Sequence, residues 1–218
     1  MEDHTQAQIG SFLAQADRSK PLLICDADEV LLQFFATLER FLDAEGFHVR
    51  LESFALHGNV WHNGREEQAS DETVSGLLQS FFKRDIHTAP AVTGAPEALE
   101  ILSANLSICV LTNLPGEQTE ARAACLAEAG MAYPVICNSG LKGKAVRMLQ
   151  DNWQHPVAFI DDLPHNHDSV AQMATDVHRI HYIASPKLSP IIEKPDSAHI
   201  RFDHWRDIHA HLESWAAQ

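Results

Sequence analysis

The sequence predicts an α/β protein in which a doubly wound parallel sheet carries a small helical insertion after its first strand. Short, almost wholly apolar runs such as "LLIC", "ICVL" and "VAFI" indicate strands that are buried on both faces, as in a parallel sheet. Between them lie stretches whose apolar residues recur at the spacing of a helix. Strands that alternate with helices form right-handed βαβ units. A length of 218 residues suits one such domain with an insertion.

The first strand is predicted between two helices. Residues 9–16 have the pattern of a short lead-in helix. Pro21 then opens the apolar run "PLLIC", which predicts a buried strand. Apolar residues recur at helical spacing from residue 30 to residue 47, and Gly46 marks the end of this second helix.

The insertion is predicted over residues 33–87, so that residues 1–32 and 88–218 form the core. The segment "LHGNVWHNGREEQ" is polar and contains two glycines, which indicates a loop or a weak helix. A helix should follow it, because Ser70 is a typical N-cap residue and apolar residues then recur along one face.

Regular alternation continues after residue 88. Helices are predicted at 96–105, 116–130, 143–152, 168–176 and 203–218. Strands are predicted at 107–113, 133–138, 156–162 and 178–184. In a sheet of this kind the ligand lies at the carboxyl ends of the strands, near the point where the strand order reverses.

Composition excludes several classes of function. The formal net charge of −14 argues against binding to nucleic acid or to anionic membranes, since both need Lys and Arg. The polar, acidic start of the chain lacks the pattern of a signal peptide, and no apolar stretch has the length of a membrane span. The four cysteines form no C-x-x-C pair and are expected to be reduced, and Cys25 and Cys109 are expected to be buried because they lie in apolar runs. These features predict a cytoplasmic protein.

Polar residues cluster at three strand exits. Asp26 and Asp28 follow the apolar run "LLIC", Thr112 and Asn113 follow "ICVL", and Asp161 and Asp162 follow "VAFI". Two lysines, Lys142 and Lys144, open the helix before that last strand. The sequence therefore predicts that carboxylates, a hydroxyl group and a lysine meet at one edge of the sheet.

These residue types suit a magnesium and phosphate site. Asp26 and Asp28 lie two positions apart, so their carboxylates are expected on the same side of the chain. Mg²⁺ would relieve their repulsion, because it takes oxygen ligands and commonly bridges carboxylates and a phosphate. Asp161 and Asp162 would add acidic ligands, while Thr112 and a lysine would donate hydrogen bonds to phosphoryl oxygens.

The ordered stretches "LLICDADEV", "VLTN", "LKGKAV" and "AFIDD" resemble the four motifs of the haloacid dehalogenase-like superfamily, whose members are mostly Mg²⁺-dependent phosphatases. The resemblance covers residues 22–170 and implies a Rossmann-like core, with the insertion in the place of a small helical cap. By this resemblance Asp26 is the nucleophile that forms an aspartyl-phosphate. Asp28 would protonate the leaving group and later deprotonate water, and Thr112 would bind a phosphoryl oxygen.

The resemblance also suggests the remaining roles. Lys142 is the expected phosphate-binding lysine, with Lys144 as the alternative. Asp162 would be the direct metal ligand and Asp161 its support, although the two could exchange places. The backbone carbonyl of Asp28 would also bind the metal, and Asn166 could support the site.

The substrate is expected to be a small phosphorylated metabolite. Five residues are candidates for binding it: Asn113, Lys144, His57, Trp61 and Arg65. The pattern "HNH" at residues 165–167 lacks the spacing of a zinc site, so these histidines are expected at the surface. Glu29 follows the first aspartates where the family often has a small residue, and its role is left open.

Three alternatives to a phosphatase stay open. A dehalogenase would also use Asp26 as nucleophile, but it would need neither Mg²⁺ nor the proton-transferring Asp28. A phosphomutase would keep all four motifs. A non-catalytic binding protein of the same fold should have lost one of the motifs, and all four are present. The sequence does not fix the natural substrate, the pathway or the oligomeric state.

Overall fold

A parallel sheet of six strands forms the centre of the protein in the computed structural model, which describes residues 2–51 and 56–216. Its strands are β1 (Leu22–Cys25), β4 (Ser107–Thr112), β5 (Val135–Cys137), β6 (Val157–Asp161), β7 (His178–Tyr182) and β8 (Ile200–Phe202). Their spatial order is β5-β4-β1-β6-β7-β8, and every pair is parallel. After β1, the chain adds β4 and β5 on one side of β1 and then β6, β7 and β8 on the other side. The strand order therefore reverses at β1, and the predicted doubly wound fold is confirmed.

Helices cover both faces of the sheet. Those of the core are α1 (Glu2–Gln15), α4 (Ala95–Leu102), α5 (Thr119–Glu128), α6 (Gly143–Asp151), α7 (Pro164–Met173) and α8 (Trp205–Ala216). Leu22 and Ile24 of β1 belong to an apolar cluster with α1, α6 and α7. Leu23 and Cys25 belong to a second cluster, with α4, α5 and α8. Successive residues of a strand point to opposite faces, so β1 is buried on both sides, as its apolar sequence predicts.

The insertion has an apolar cluster of its own. It contains α2 (Phe34–Ala44), β2 (Phe47–Val49), β3 (Val60–His62) and α3 (Asp71–Arg84). Leu38, Phe41 and Phe81 are buried in this cluster together with Val60 and Val74. This cluster is separate from the two apolar clusters of the core, so the elements of the insertion pack mainly on one another.

The structure differs from the predicted secondary structure in several places, and the lead-in helix predicted at 9–16 already begins at Glu2. The segment predicted as a loop or weak helix contains β3, which pairs antiparallel with β2, and each of these strands has only three residues. The edge strand β8 is equally short and was not predicted. Strands of this length are too short for an alternating pattern to be recognised. The helix predicted at 168–176 begins at Pro164, at a position where proline is favoured.

All four cysteines are buried and free, which confirms the expected burial of Cys25 and Cys109. Among the helices in the described part of the chain, none is both long and apolar enough to cross a membrane.

Candidate active site

The exits of β1, β4 and β6 meet at the point where the strand order reverses. Asp26 directly follows β1, Thr112 is the last residue of β4, and Asp161 is the last residue of β6. The backbone N–H of Asp26 donates to the carbonyl of Ile160 at 2.9 Å, which aligns the exits of β1 and β6. One carboxylate oxygen each from Asp26, Asp161 and Asp162 lies within 4.8 Å of the others, and all three residues are buried. Residues distant in sequence thus form one acidic cluster.

Lys142 lies inside this cluster. Its Nζ atom is 2.7 Å from Asp26 Oδ1 and 2.7 Å from Asp161 Oδ2, and the residue is only 1% exposed. Burial acts to lower the pKa of Lys142, but the carboxylates of Asp161 and Asp26 outweigh it and raise that pKa above its ordinary value. Lys142 is therefore a charged lysine that bridges two carboxylates. Lys144, the alternative, is exposed on α6.

One lysine does not balance three buried carboxylates. Burial is the main cause that raises the pKa of Asp26 to about 7, with Asp161 and Asp28 adding repulsion against the opposing effect of Lys142. Burial and the charges of Asp161 and Asp26 likewise raise the pKa of Asp162 well above its ordinary value. A hard divalent cation would supply the missing positive charge, and clustered carboxylate oxygens are the ligands that Mg²⁺ takes. The residues therefore fit a magnesium ion.

The two neighbouring aspartates differ in their hydrogen bonds. Asp161 Oδ1 accepts from the backbone N–H of Leu163 and from Asn166 Nδ2, each at 2.9 Å, while its other oxygen faces Lys142. The carboxylate of Asp162, by contrast, has no hydrogen-bond partner among the described residues. The Asp161 carboxylate is thus held by the protein, and the Asp162 carboxylate is available to a ligand.

Two buried histidines support the backbone of this pair. His167 Nε2 lies 2.9 Å from the carbonyl oxygen of Asp161, and His181 Nε2 lies 2.9 Å from that of Asp162. Burial is the main cause that lowers the pKa of both rings, in His181 to about 4. Neutral rings can donate Nε2–H to these carbonyls. The expectation that the "HNH" histidines lie at the surface was wrong for His167, because α7 begins early and turns it inward.

Asp28 is paired with an arginine that sequence reasoning missed. Arg122 Nη2 lies 3.0 Å from Asp28 Oδ1 and 3.1 Å from Oδ2, and Arg122 is fully buried. It belongs to the buried face of α5 together with Cys125 and Leu126. The sequence contained one indication of a buried arginine, because Arg122 lies three and four residues before the apolar Cys125 and Leu126 on the same face of α5. It did not identify Asp28 as the partner of Arg122. The arginine fixes the orientation of the Asp28 carboxylate.

Glu29 connects the strand exit with two other segments. Its Oε1 accepts from the backbone N–H of Phe35 at 2.7 Å, and its Oε2 accepts from that of Ser185 at 2.8 Å. Among the described residues other than glycine, it alone has a positive φ, of 61°. Burial raises the pKa of Glu29 to about 7, against the opposing effect of these two hydrogen bonds. Its side chain joins the start of α2 to the loop after β7.

The end of β4 contributes polar groups to the same place. Thr112 is fully buried, and its Oγ1 has no hydrogen-bond partner in the described part of the chain. Asn113 is exposed, and its side chain bonds to Asn138 and to the carbonyl of Gly140. A buried hydroxyl group without a partner is a donor available to a ligand.

A cavity of about 440 Å³ opens over these residues. Asp26, Asp28, Asn113 and Asp162 line its polar end, and His57 joins them from the insertion. The remaining lining is mainly apolar and includes Phe34, Phe35, Leu38, Leu56, Leu78 and Phe82.

Two predicted substrate-binding residues of the insertion do not line this cavity, and neither does the predicted Lys144 of α6. Trp61 lies in β3, where its ring packs against the Arg50 guanidinium at 4.3 Å. Arg65 is exposed and pairs with Glu67 at 3.6 Å. The hairpin turns both side chains toward partners on the insertion itself. The expectation that they reach the site was wrong.

The sequence matches no family model, and no curated protein matches it either. Solved structures do resemble the fold. A haloacid dehalogenase-like hydrolase from Streptococcus pneumoniae is 14% identical with a TM-score of 0.60, over 90% of this chain and 100% of that one. A magnesium-bound hydrolase of the same type, YfnB from Bacillus subtilis, is 12% identical with a TM-score of 0.58, over 88% and 98%. An L-2-haloacid dehalogenase is 11% identical with a TM-score of 0.57, over 88% and 99%.

Proposed function

Because this chain has the fold of the haloacid dehalogenase-like hydrolases, we propose that it is a Mg²⁺-dependent phosphatase that hydrolyses a small phosphate monoester. The observation that carries the proposal is the buried cluster of Asp26, Asp161 and Asp162 around Lys142. Such a cluster has too little positive charge to be stable alone, and a metal ion with a phosphoryl group would complete it.

Asp26 is the nucleophile. It lies at the polar end of the cavity, and Lys142 holds one of its oxygens at 2.7 Å. A carboxylate oxygen of Asp26 attacks phosphorus, and the bond between phosphorus and the ester oxygen breaks. The product is an aspartyl-phosphate. Water then attacks this phosphorus, releases inorganic phosphate and regenerates the carboxylate.

Asp28 transfers the protons. It gives a proton to the leaving alcohol oxygen in the first step and takes one from the attacking water in the second, so it returns to its starting state. Arg122 contacts both oxygens of Asp28 and holds them in a fixed orientation beside the cavity. Fixed orientation is worth a large factor in rate, because the reacting atoms start close to the transition-state geometry.

The metal ion would be held by Asp26, by Asp162 and by the backbone carbonyl of Asp28. A bound Mg²⁺ would neutralise charge on the phosphoryl oxygens and on the carboxylates. The free carboxylate of Asp162 supports its role as a ligand, and the hydrogen bonds of Asp161 support a positioning role. The magnesium bound to a protein of this fold is consistent with the choice of ion.

The phosphoryl group would also be bound by donors of the chain. The unpartnered Thr112 hydroxyl donates to one oxygen, and the Lys142 ammonium stabilises the charge that develops. Asn113, which lines the cavity, is positioned to contact the substrate.

A dehalogenase is the second candidate, since one shares the fold. It would also attack through Asp26, but at a carbon atom, and it would not require a divalent cation. The three clustered carboxylates and the paired Asp28 favour phosphatase chemistry. A phosphomutase would differ only in passing the phosphoryl group to a second substrate.

One assay tests the proposal. Release of p-nitrophenol and of inorganic phosphate is measured with Mg²⁺ and with a chelator, for the wild type, Asp26→Asn and the exposed control Asp168→Asn. We expect activity that needs Mg²⁺, falls by about 10³-fold or more in Asp26→Asn, and is unchanged in the control. Activity that survives both chelation and the Asp26 substitution would refute the mechanism. Halide release from 2-chloropropionate without metal would establish the dehalogenase instead.

A further inference from the structure

The cavity divides into an acidic end and an apolar wall. Asp26, Asp28, Glu29 and Asp162 lie at the acidic end, next to the reacting position. The apolar wall is formed largely by α2 and α3 of the insertion, and its residues are Phe34, Phe35, Leu38, Leu56, Leu78 and Phe82. A substrate whose phosphoryl group reaches Asp26 therefore places its other end against this wall.

The wall offers little to a polar or charged substituent. Among the described lining residues none is Lys or Arg, so a second phosphate or carboxylate on the part of the substrate that meets the wall would find no cationic partner there. Hydroxyl groups would find few partners at the wall, because among the described lining residues of the insertion His57 alone has a polar side chain. Polar groups that are buried without partners weaken binding.

We propose that the substrate is the monophosphate ester of an apolar alcohol, either a short alkyl chain or a single ring, with no second anionic group. The proposal rests on the proposed phosphatase function and specifies its substrate class. A cavity of about 440 Å³ is near the lower end of the range for small-molecule sites, which suits a phosphoryl group with one ring or chain. Each methylene buried against the wall should improve binding by about fourfold.

Two substrates with similar leaving groups test the class. Hexyl phosphate and glucose 6-phosphate are both esters of a primary alcohol, so the reactivity of the bond that breaks is comparable. We expect kcat/KM to be at least about 100-fold higher for hexyl phosphate, from the methylenes that it buries. Equal values, or a preference for the sugar phosphate, would overturn the proposal and leave the phosphatase function standing.

A pair of leucines on one helix tests the location. Leu78 lines the cavity, whereas its neighbour Leu77 packs against the cluster inside the insertion and does not line it. Leu78→Gln should lower kcat/KM for hexyl phosphate by about tenfold or more, and should lower that for glucose 6-phosphate by a much smaller factor or raise it. Leu77→Gln controls for general damage to the insertion and should affect both substrates equally. A Leu78→Gln variant that resembles this control would contradict the assigned wall.

Binding without turnover separates the two proposals. Calorimetric titration of Asp26→Asn in Mg²⁺ buffer should show that hexyl phosphate binds more tightly than glucose 6-phosphate, with a more negative heat-capacity change from apolar burial. If the variant binds in this way but the wild type hydrolyses neither ester, the phosphatase function fails and the apolar pocket stands. If neither ester binds and neither is hydrolysed, both proposals fail.

Discussion

Glu29 shows how one side chain can hold a strained backbone beside a reactive residue. A residue other than glycine loses about 1–2 kcal/mol in the left-handed region, where Glu29 lies with φ of 61°. Its carboxylate offsets this cost by accepting hydrogen bonds from the buried N–H group of Phe35 and the partly buried N–H group of Ser185. These contacts connect the turn after β1 to the insertion and to the loop after β7. Glu29 thus positions three segments around the cavity without any need to touch the phosphoryl group.

Substitution of Glu29 separates the strain from the hydrogen bonds. Glu29→Ala leaves one buried and one partly buried donor without their acceptor and should lower the free energy of unfolding by about 2–4 kcal/mol. Glu29→Gly loses the same bonds but relieves the strain, so it should be about 1 kcal/mol more stable than the alanine variant. Denaturant unfolding measures both. Partly buried Glu39, which pairs with the exposed Lys187, is the control, and Glu39→Ala should cost about 0.5 kcal/mol. A glycine variant less stable than the alanine variant would show that strain is not stored here.

The approach of two helices fixes the place of Lys142. A Cβ atom added at Gly143 would lie 2.4 Å from the carbonyl oxygen and 2.4 Å from the hydroxyl oxygen of Ser169, so only glycine lets α6 approach α7 this closely. The backbone N–H of Gly143 donates to Ser169 Oγ at 3.2 Å in the same contact. The glycine of the "KGK" pattern therefore serves helix packing directly beside the lysine of the site.

Two glycine substitutions in helices should have opposite effects. Gly143→Ala forces α6 away from α7 and should lower the free energy of unfolding by about 1–3 kcal/mol, despite the higher helix propensity of alanine. Gly76→Ala in α3 has nothing within 4 Å of the new Cβ and should raise stability by about 0.5–1 kcal/mol. Thermal unfolding of both variants measures the difference. If Gly143→Ala left the free energy of unfolding unchanged, α6 could shift without cost. The inference that helix packing holds Lys142 rigidly in place would then be wrong.

The parts of the fold that the sequence predicts are those with long local patterns. β4 and β6 are continuous apolar runs, so their type, burial and polar exits could be derived without a structure. Asp26, Asp161 and Asp162 were found in the same way, because a residue at a strand exit is located by the strand itself. The partners of Asp28 and Glu29 could not be found, since Arg122 lies 94 positions from Asp28 and Ser185 lies 156 positions from Glu29. The two short strands of the insertion left no pattern, so the orientation of Trp61 was mispredicted.

At the scale of the whole molecule, stability should depend on divalent cation and on pH together. The pKa of Asp26 is raised to about 7, chiefly by burial, so its ionisation is unfavourable for the metal-free fold. Stability linked to this group is fully present below its ordinary pKa of 3.8 and is lost as the pH rises through 7. A cation needs the ionised carboxylates and reverses that loss, so its effect should be larger at high pH.

Thermal unfolding with Mg²⁺ and with a chelator tests this linkage. We expect Mg²⁺ to raise the Tm by several degrees at pH 8 and by less at pH 6. For a chain of this size, a stabilisation of about 1 kcal/mol corresponds to an increase of 2–4 °C in Tm. Asp162→Asn should abolish the increase, and Asp168→Asn, on the exposed side of α7, should retain it. An increase that persists in Asp162→Asn would show that the ion binds elsewhere.

The central position of β1 also has a consequence during synthesis of the chain. Leu22 pairs with Ser107 on one side and with Val157 on the other. Both edges of this apolar strand therefore stay unpaired until residues much later in the sequence have been synthesised. At roughly 5–20 residues per second the second partner emerges about 7–27 s after the first strand. Unpaired apolar strands aggregate, and charged residues at their ends oppose this. In the nascent chain Asp26 and Asp28 are hydrated, and their negative charges repel other copies of the chain. The charges that the folded protein must balance with Lys142, Arg122 and a cation therefore help to keep the unfolded chain in solution.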